Sequence, residues 1–234
     1  MINRLLQCWR SLKALDLSTD GVGFEKYLSS TELQGFLATV SLVHFPRLVS
    51  LHYMIATPED LSILDILFST SNLRSLQLSR YTDSPHINAG LSLLLGPVLP
   101  DLIDYRYSSA NEEAESSDGW NAKESFDTKL FSSLRHCETL HLNTSNLSSL
   151  SFLSDLKRLK KLTLVNVRRA NDFDSISTLL KNRAKEVEFE IGFQYIGYIN
   201  LRTREWLRTI REECGNAGVE FQSTSIVPWT LSLE

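Results

Sequence analysis

Hydrophobic residues along this chain fall into two rhythms that take turns. Short stretches such as Leu15-Asp16-Leu17, Leu76-Gln77-Leu78, Leu140-His141-Leu142 and Leu162-Thr163-Leu164 alternate apolar with polar residues. That period of two marks a strand with one buried face. Three residues before each pair stands another apolar residue, so the unit reads L-x-x-L-x-L. It begins at Leu12, Leu48, Leu73, Leu102, Cys137 and Leu159 and, more weakly, at Ala184 as Ala184-x-x-Val187-x-Phe189. Starting points lie as close as 22 residues (137 to 159) and as far as 36 (12 to 48).

Between the copies the rhythm turns helical. Thr57-Pro58-Glu59-Asp60 predicts a helix start: the Thr57 hydroxyl as N-cap, proline at the first helical position and two acids in the first turn. Leu61, Ile63, Leu64, Ile66, Leu67 and Phe68 follow as its apolar body. Further helical stretches are expected over 91–95, 126–134, 150–156 and 173–180, with Asn171 and Asp172 capping the last. A strand-then-helix unit repeated in one direction requires parallel strands, because neither element buries its apolar face alone. The expected architecture is an α/β solenoid over residues 1–225, with a parallel β-sheet on the concave side and helices on the convex side. Leu15, Leu51, Leu76, Leu140, Leu162 and Val187, the middle apolar residues of their units, should form one buried ladder. A helix over 201–213 carrying Trp206, Leu207 and Ile210, Gly215 as its C-cap and a strand Val219-Glu220-Phe221 should close the array. Residues 226–234 should be a tail that lays Trp229 over apolar edge surface.

The L-x-x-L-x-L copies, their spacing near the about 20 to 29 residues of such units and the helices between them resemble leucine-rich repeats. Their irregular lengths resemble the arrays of fungal F-box proteins. The resemblance runs from about Leu12 to Phe221. It implies a protein–protein interaction module that recognises the substrate of an F-box-type ubiquitin ligase. Regular members place Asn or Cys after the last leucine with two residues intervening; here those positions hold Asp20, Ala56, Tyr81, Ala110, Ser145, Val167 and Gly192. No F-box opening L-P-x-E is present, the nearest text being Leu99-Pro100-Asp101-Leu102-Ile103, which reads as a repeat strand. A ubiquitin-ligase adaptor is therefore a partner only if an F-box lies upstream. With repeats beginning almost at Met1, the chain is expected to be the C-terminal part of something longer or an incomplete gene model. A repeat scaffold or regulator without ubiquitin chemistry is the alternative reading, and an enzyme the remote one.

Composition narrows the partners. Lys and Arg number 24 against 28 Asp and Glu, a net charge of −4, so no basic excess exists to neutralise a phosphate backbone and no nucleic-acid partner is expected. The three cysteines, Cys8, Cys137 and Cys214, lie far apart, which fits neither a disulfide framework nor a metal-ligand spacing. No secretory signal opens the chain and no run of about 18 apolar residues occurs. A cytoplasmic or nuclear protein without a membrane span is expected, and Asn143-Thr144-Ser145 and Asn146-Leu147-Ser148 are chance matches to the glycosylation pattern. Residues 108–127 carry Glu112, Glu113, Glu115, Asp118, Glu124 and Asp127 against Lys123 alone, a composition that cannot offset its ordering entropy. They are expected to be a mobile acidic loop.

On each strand the leucines point inward and the residues between them point out. The candidate binding residues on the concave face are Asp16, His52, Met54, Gln77, Arg106, His141, Asn143, Thr163, Glu186, Glu188, Glu190 and Glu220. Glu186, Glu188 and Glu190 should leave one face together and suit a basic partner. His52 and His141 lie three units apart, without acidic or cysteine companions at ligand spacing, so neither a metal nor a general base is expected. Cys137 occupies a core leucine position and should be an inert buried thiol. No phosphate-loop, nucleophile-elbow, zinc-protease or dinucleotide motif occurs, and no cofactor or catalytic residue is expected.

Overall fold

A computed structural model of the chain describes residues 10–17, 45–80, 85–109, 128–143, 147, 149–165, 170–183 and 186–191, and from the C-terminal stretch 205, 208, 209, 211, 212, 215 and 216. Each L-x-L pair is a strand: β1 (Ala14–Leu17), β2 (Ser50–Ile55), β3 (Ser75–Arg80), β4 (Asp104–Ser109), β5 (Thr139–Asn143), β6 (Lys161–Val165) and β7 (Glu188–Ile191). They form one all-parallel sheet in strict chain order from β1 to β7. That order follows from a unit that pairs only with the units before and after it.

The register gives a ladder of Leu15, Leu51, Leu76, Tyr105, Leu140, Leu162 and Phe189. Five of the six residues expected there are present, and Tyr105 fills the fourth rung. Val187 is not in it; Phe189 stands beside Leu162 instead. The last unit is therefore Glu186-x-x-Phe189-x-Ile191, two residues later than the leucine pattern suggests. A shift of two preserves which side chains face inward, so the pattern cannot tell the registers apart.

Before β2 through β6 the backbone repeats one device. The carbonyl of the residue preceding a strand accepts two successive N–H groups from the next unit: Lys13 from Val49 and Ser50, Val49 from Arg74 and Ser75, Arg74 from Ile103 and Asp104, Ile103 from Glu138 and Thr139, Glu138 from Lys160 and Lys161. At β7 this breaks. Lys160 accepts from Glu188, while the Val187 N–H turns back to the Arg183 carbonyl.

Helices return the chain between strands. α1 (Asp60–Thr70) buries Asp60, Ile63, Leu64 and Leu67, one face at helical spacing. α2 (Pro85–Leu95) buries Ile87, Asn88, Leu91 and Leu95, and α3 (Ala170–Arg183) buries Ile176, Leu179 and Leu180. The apolar side chains among these join the inward strand residues in one hydrophobic cluster. A methyl group on Gly90 would fall 2.5 Å from Leu61 Cδ1, so glycine lets α2 sit close to α1. The connections expected as helices over 126–134 and 150–156 contain 3-10 turns instead, at Thr128–Ser133 and Ser151–Asp155. The connection from β5 to β6, 144–160, is two residues shorter than the one that holds α1, 56–74. Its tighter turn still buries Phe152 and Leu153, and Phe131, Phe152 and Tyr105 pack ring against ring at 5.1 and 5.7 Å.

Several local expectations differ. α1 has no hydroxyl cap from Thr57. Its start is held by Asp60, whose carboxylate accepts the Ala56 and Thr57 N–H groups at 2.8 and 2.9 Å and the Tyr53 hydroxyl at 2.8 Å. α3 begins at Ala170, so Asn171 and Asp172 lie inside it rather than capping it. Ser108 and Ser109 belong to β4, and the rest of the acidic stretch, 110–127, lies outside the described residues. Gly215 is helical itself and does not end a helix. Trp206, Leu207, Ile210, the Val219-Glu220-Phe221 segment and the tail with Trp229 lie outside the described residues. Among the described residues no helix is long and apolar enough to cross a membrane.

Candidate interaction face

Parallel pairing in register turns the residue between each pair of inward side chains into one row across the sheet. It runs Asp16, His52, Gln77, Arg106, His141, Thr163 and Glu190. A second row, toward the strand N-termini, runs Ala14, Ser50, Ser75, Asp104, Thr139, Lys161 and Glu188. Met54, Ser79 and Ser108 begin a third on β2 to β4. Glu190 thus takes the central place expected for Glu188, and Glu188 stands one row aside. Glu186 precedes the strand and accepts a hydrogen bond from Arg183 Nε at 3.2 Å, so the three glutamates do not share one face. Asn143 and Thr163 keep their places but are 5% and 7% exposed, covered rather than open. Asn143 ends its strand beside Val165. Glu220 lies outside the described residues.

The polar side chains bind one another. Asp16 Oδ1 lies 3.2 Å from His52 Nδ1 across β1 and β2. Ser75 donates to Asp104 at 3.3 Å, and Ser108 donates to Ser79 at 3.0 Å. Arg106 Nε reaches Asp104 on its own strand at 3.3 Å. Lys161 Nζ meets Glu188 at 2.5 Å, and this contact raises the ammonium's pKa. The Thr163 hydroxyl donates to Glu190 at 3.2 Å. Charge is unevenly placed: the six outward positions of β2 and β3 are Ser50, His52, Met54, Ser75, Gln77 and Ser79, while acids and bases stand on the strands to either side. Interface centres are poor in charge and rich in residues such as Met, so β2–β3 is the part of the face least costly to desolvate.

His52 and His141 lie on the described sheet and Cys137 beside it. His141 is half-buried; burial first and Arg106 second hold its pKa below the ordinary value, against the opposing pull of Glu190 and Asp104. His52 and His141 stand three strands apart, about 14 Å at the usual spacing, far beyond reach of one ion. No group of three His, Cys, Asp or Glu side chains among the described residues could hold a metal. Cys137 is buried, its thiol donates to the Thr139 carbonyl at 3.1 Å, and burial with Asp104 nearby pushes its pKa up to about 12. It stays a thiol at neutral pH, as its leucine position suggested. Arg183 was not foreseen. Its guanidinium donates to the carbonyls of Leu156, Lys157 and Leu159 in the preceding unit; the only sequence signal was a basic residue in a helix's last turn.

No protein-family model matches the chain, and no curated protein matches it.

Proposed function

We propose that this chain is an irregular leucine-rich-repeat solenoid that binds another protein through the outward face of its sheet, and that it serves as the substrate-recognition array of an F-box-type ubiquitin ligase subunit. The observation that carries the binding reading is the in-register polar row of seven strands, with no Asp, Glu, Lys or Arg facing outward on β2 and β3 and such residues on the strands to either side. Solenoids present such rows as extended binding surfaces. The ubiquitin-ligase assignment rests on the resemblance of the irregular L-x-x-L-x-L units to F-box repeat arrays. The second reading is a repeat scaffold or regulator without ubiquitin chemistry, favoured if a longer coding sequence simply adds more repeats. An F-box in a longer coding sequence would decide between the two.

The binding reading is tested by placing a photo-crosslinking amino acid at Gln77 or Arg106 on the sheet face, and at Leu93, which is 79% exposed on α2, as the control. Defined protein adducts are expected from Gln77 and Arg106 in cell extract and not from Leu93. Equal adduct patterns from all three positions would refute the assignment of the sheet face.

A further inference from the structure

Glu186-Val187-Glu188-Phe189-Glu190-Ile191 alternates acid and apolar without a break. Such a strand fits its neighbour in two registers. In the observed one Phe189 stands beside Leu162 and Ile191 beside Leu164. In the other, shifted by two, Val187 would stand beside Leu162 and Phe189 beside Leu164. Every inward residue would still face inward. Lys161 would meet Glu186 in place of Glu188, and Thr163 would meet Glu188 in place of Glu190. Val187 and Phe189 are both already buried, at 4% and 9% exposure, so the shift would move them along one apolar ladder without exposing either. The strand's own contacts therefore discriminate weakly.

Arg183 supplies what the strand lacks. Its carbonyl accepts the Glu186 and Val187 N–H groups at 2.9 and 3.1 Å, committing both residues to a turn where the shifted register needs Glu186 in the strand. Its guanidinium grips three carbonyls that follow the 3-10 turn of the preceding unit, those of Leu156, Lys157 and Leu159, and holds the Glu186 side chain at 3.2 Å. These donors have a fixed planar geometry, so the turn is anchored to the preceding unit at one position along the strand direction.

We propose that Arg183 is a register lock: it selects one of two near-equivalent registers of β7 and thereby decides which glutamates face Lys161 and Thr163 on the sheet. A slip of two residues exchanges the polar groups at the end of the face without dismantling the core, so β7 is a two-position element with Arg183 as its catch.

The test uses disulfide trapping in the full chain with Cys8 and Cys214 replaced by Ser. One pair, Thr163→Cys with Glu190→Cys, reports the observed register; the other, Thr163→Cys with Glu188→Cys, reports the shifted one. Neighbouring strands place such pairs about 4.8 Å apart, within disulfide range. With Arg183 present the first pair should close and the second stay open. With Arg183→Gln the ratio of first-pair to second-pair closure should fall at least about tenfold, the scale of hydrogen bonds to a charged group. Arg183→Lys, which keeps the charge but not the fork, should give an intermediate ratio. Variants that unfold cooperatively yet keep the original ratio would overturn the lock. So would failure of both variants to fold, which would make Arg183 a residue of the fold as a whole rather than a selector of register.

Discussion

His141 stands between Arg106 on one neighbouring strand and Thr163 on the other, and its place in the row decides how it titrates. Burial and Arg106 hold it neutral where a free histidine would begin to charge. The unfolded chain therefore binds a proton near the ordinary value of 6.5 that the folded chain resists. By linkage, the folded state loses stability as pH falls from about 6.5 toward the depressed folded value, and this residue adds no further loss below it. Urea unfolding at pH 7.5 and at pH 5.5 should show a smaller drop in stability for His141→Gln than for the parent protein; identical drops would remove His141 from the account. The residue scale was partly legible beforehand. Cys137 was identified as an inert core thiol because it fills a leucine place. The cover over Asn143 and Thr163 was not, since a position's face follows from parity, whereas its exposure follows from what neighbouring units lay across it.

At the scale of the element, α1 shows how a helix start is made from a residue that looks like an ordinary first-turn acid. Asp60 is 2% exposed, and its carboxylate satisfies two backbone N–H groups and a buried phenol at once. That phenol, Tyr53, has its pKa raised by burial and by the charge of Asp60, so it remains a donor at every ordinary pH. Asp60→Ala would strand a buried phenol and two part-buried backbone N–H groups and should cost at least about 2 kcal/mol, whereas Tyr53→Phe removes one neutral donor and should cost about 1 kcal/mol. Thermal or urea unfolding of the two variants checks the order; equal costs would mean the backbone bonds contribute nothing. The sequence showed that a helix begins near 57–60 because Pro, acids and an apolar run coincide there. It could not show that the cap comes from Asp60 rather than Thr57, which depends on a tyrosine seven residues earlier. Nor could it show that two of the connections wind as 3-10 turns, at Thr128–Ser133 and Ser151–Asp155.

Across the whole molecule each unit leans on two others except at the ends, so the cost of losing a core leucine should follow position in the array. Leu76 and Leu162 are wholly buried between flanking strands, whereas Leu15 on β1 is only partly buried. Replacing Leu76 or Leu162 with Ala should cost about 2 to 5 kcal/mol, the usual toll of a core cavity, and Leu15→Ala clearly less. Denaturant unfolding of the three variants measures this, and a Leu76→Ala cost under about 0.5 kcal/mol would contradict the ladder. By itself the sequence determined the strands, their inward faces and their sequential parallel order, because a period of two sets side-chain parity and a one-way strand–helix unit leaves few other ways to bury its apolar face. Only the tertiary structure decided the register of β7, the separation of Glu186 from Glu188 and Glu190, and the cover over Asn143. The first two depend on Arg183 reaching carbonyls of another unit, whereas an alternating pattern is unchanged by a shift of two residues.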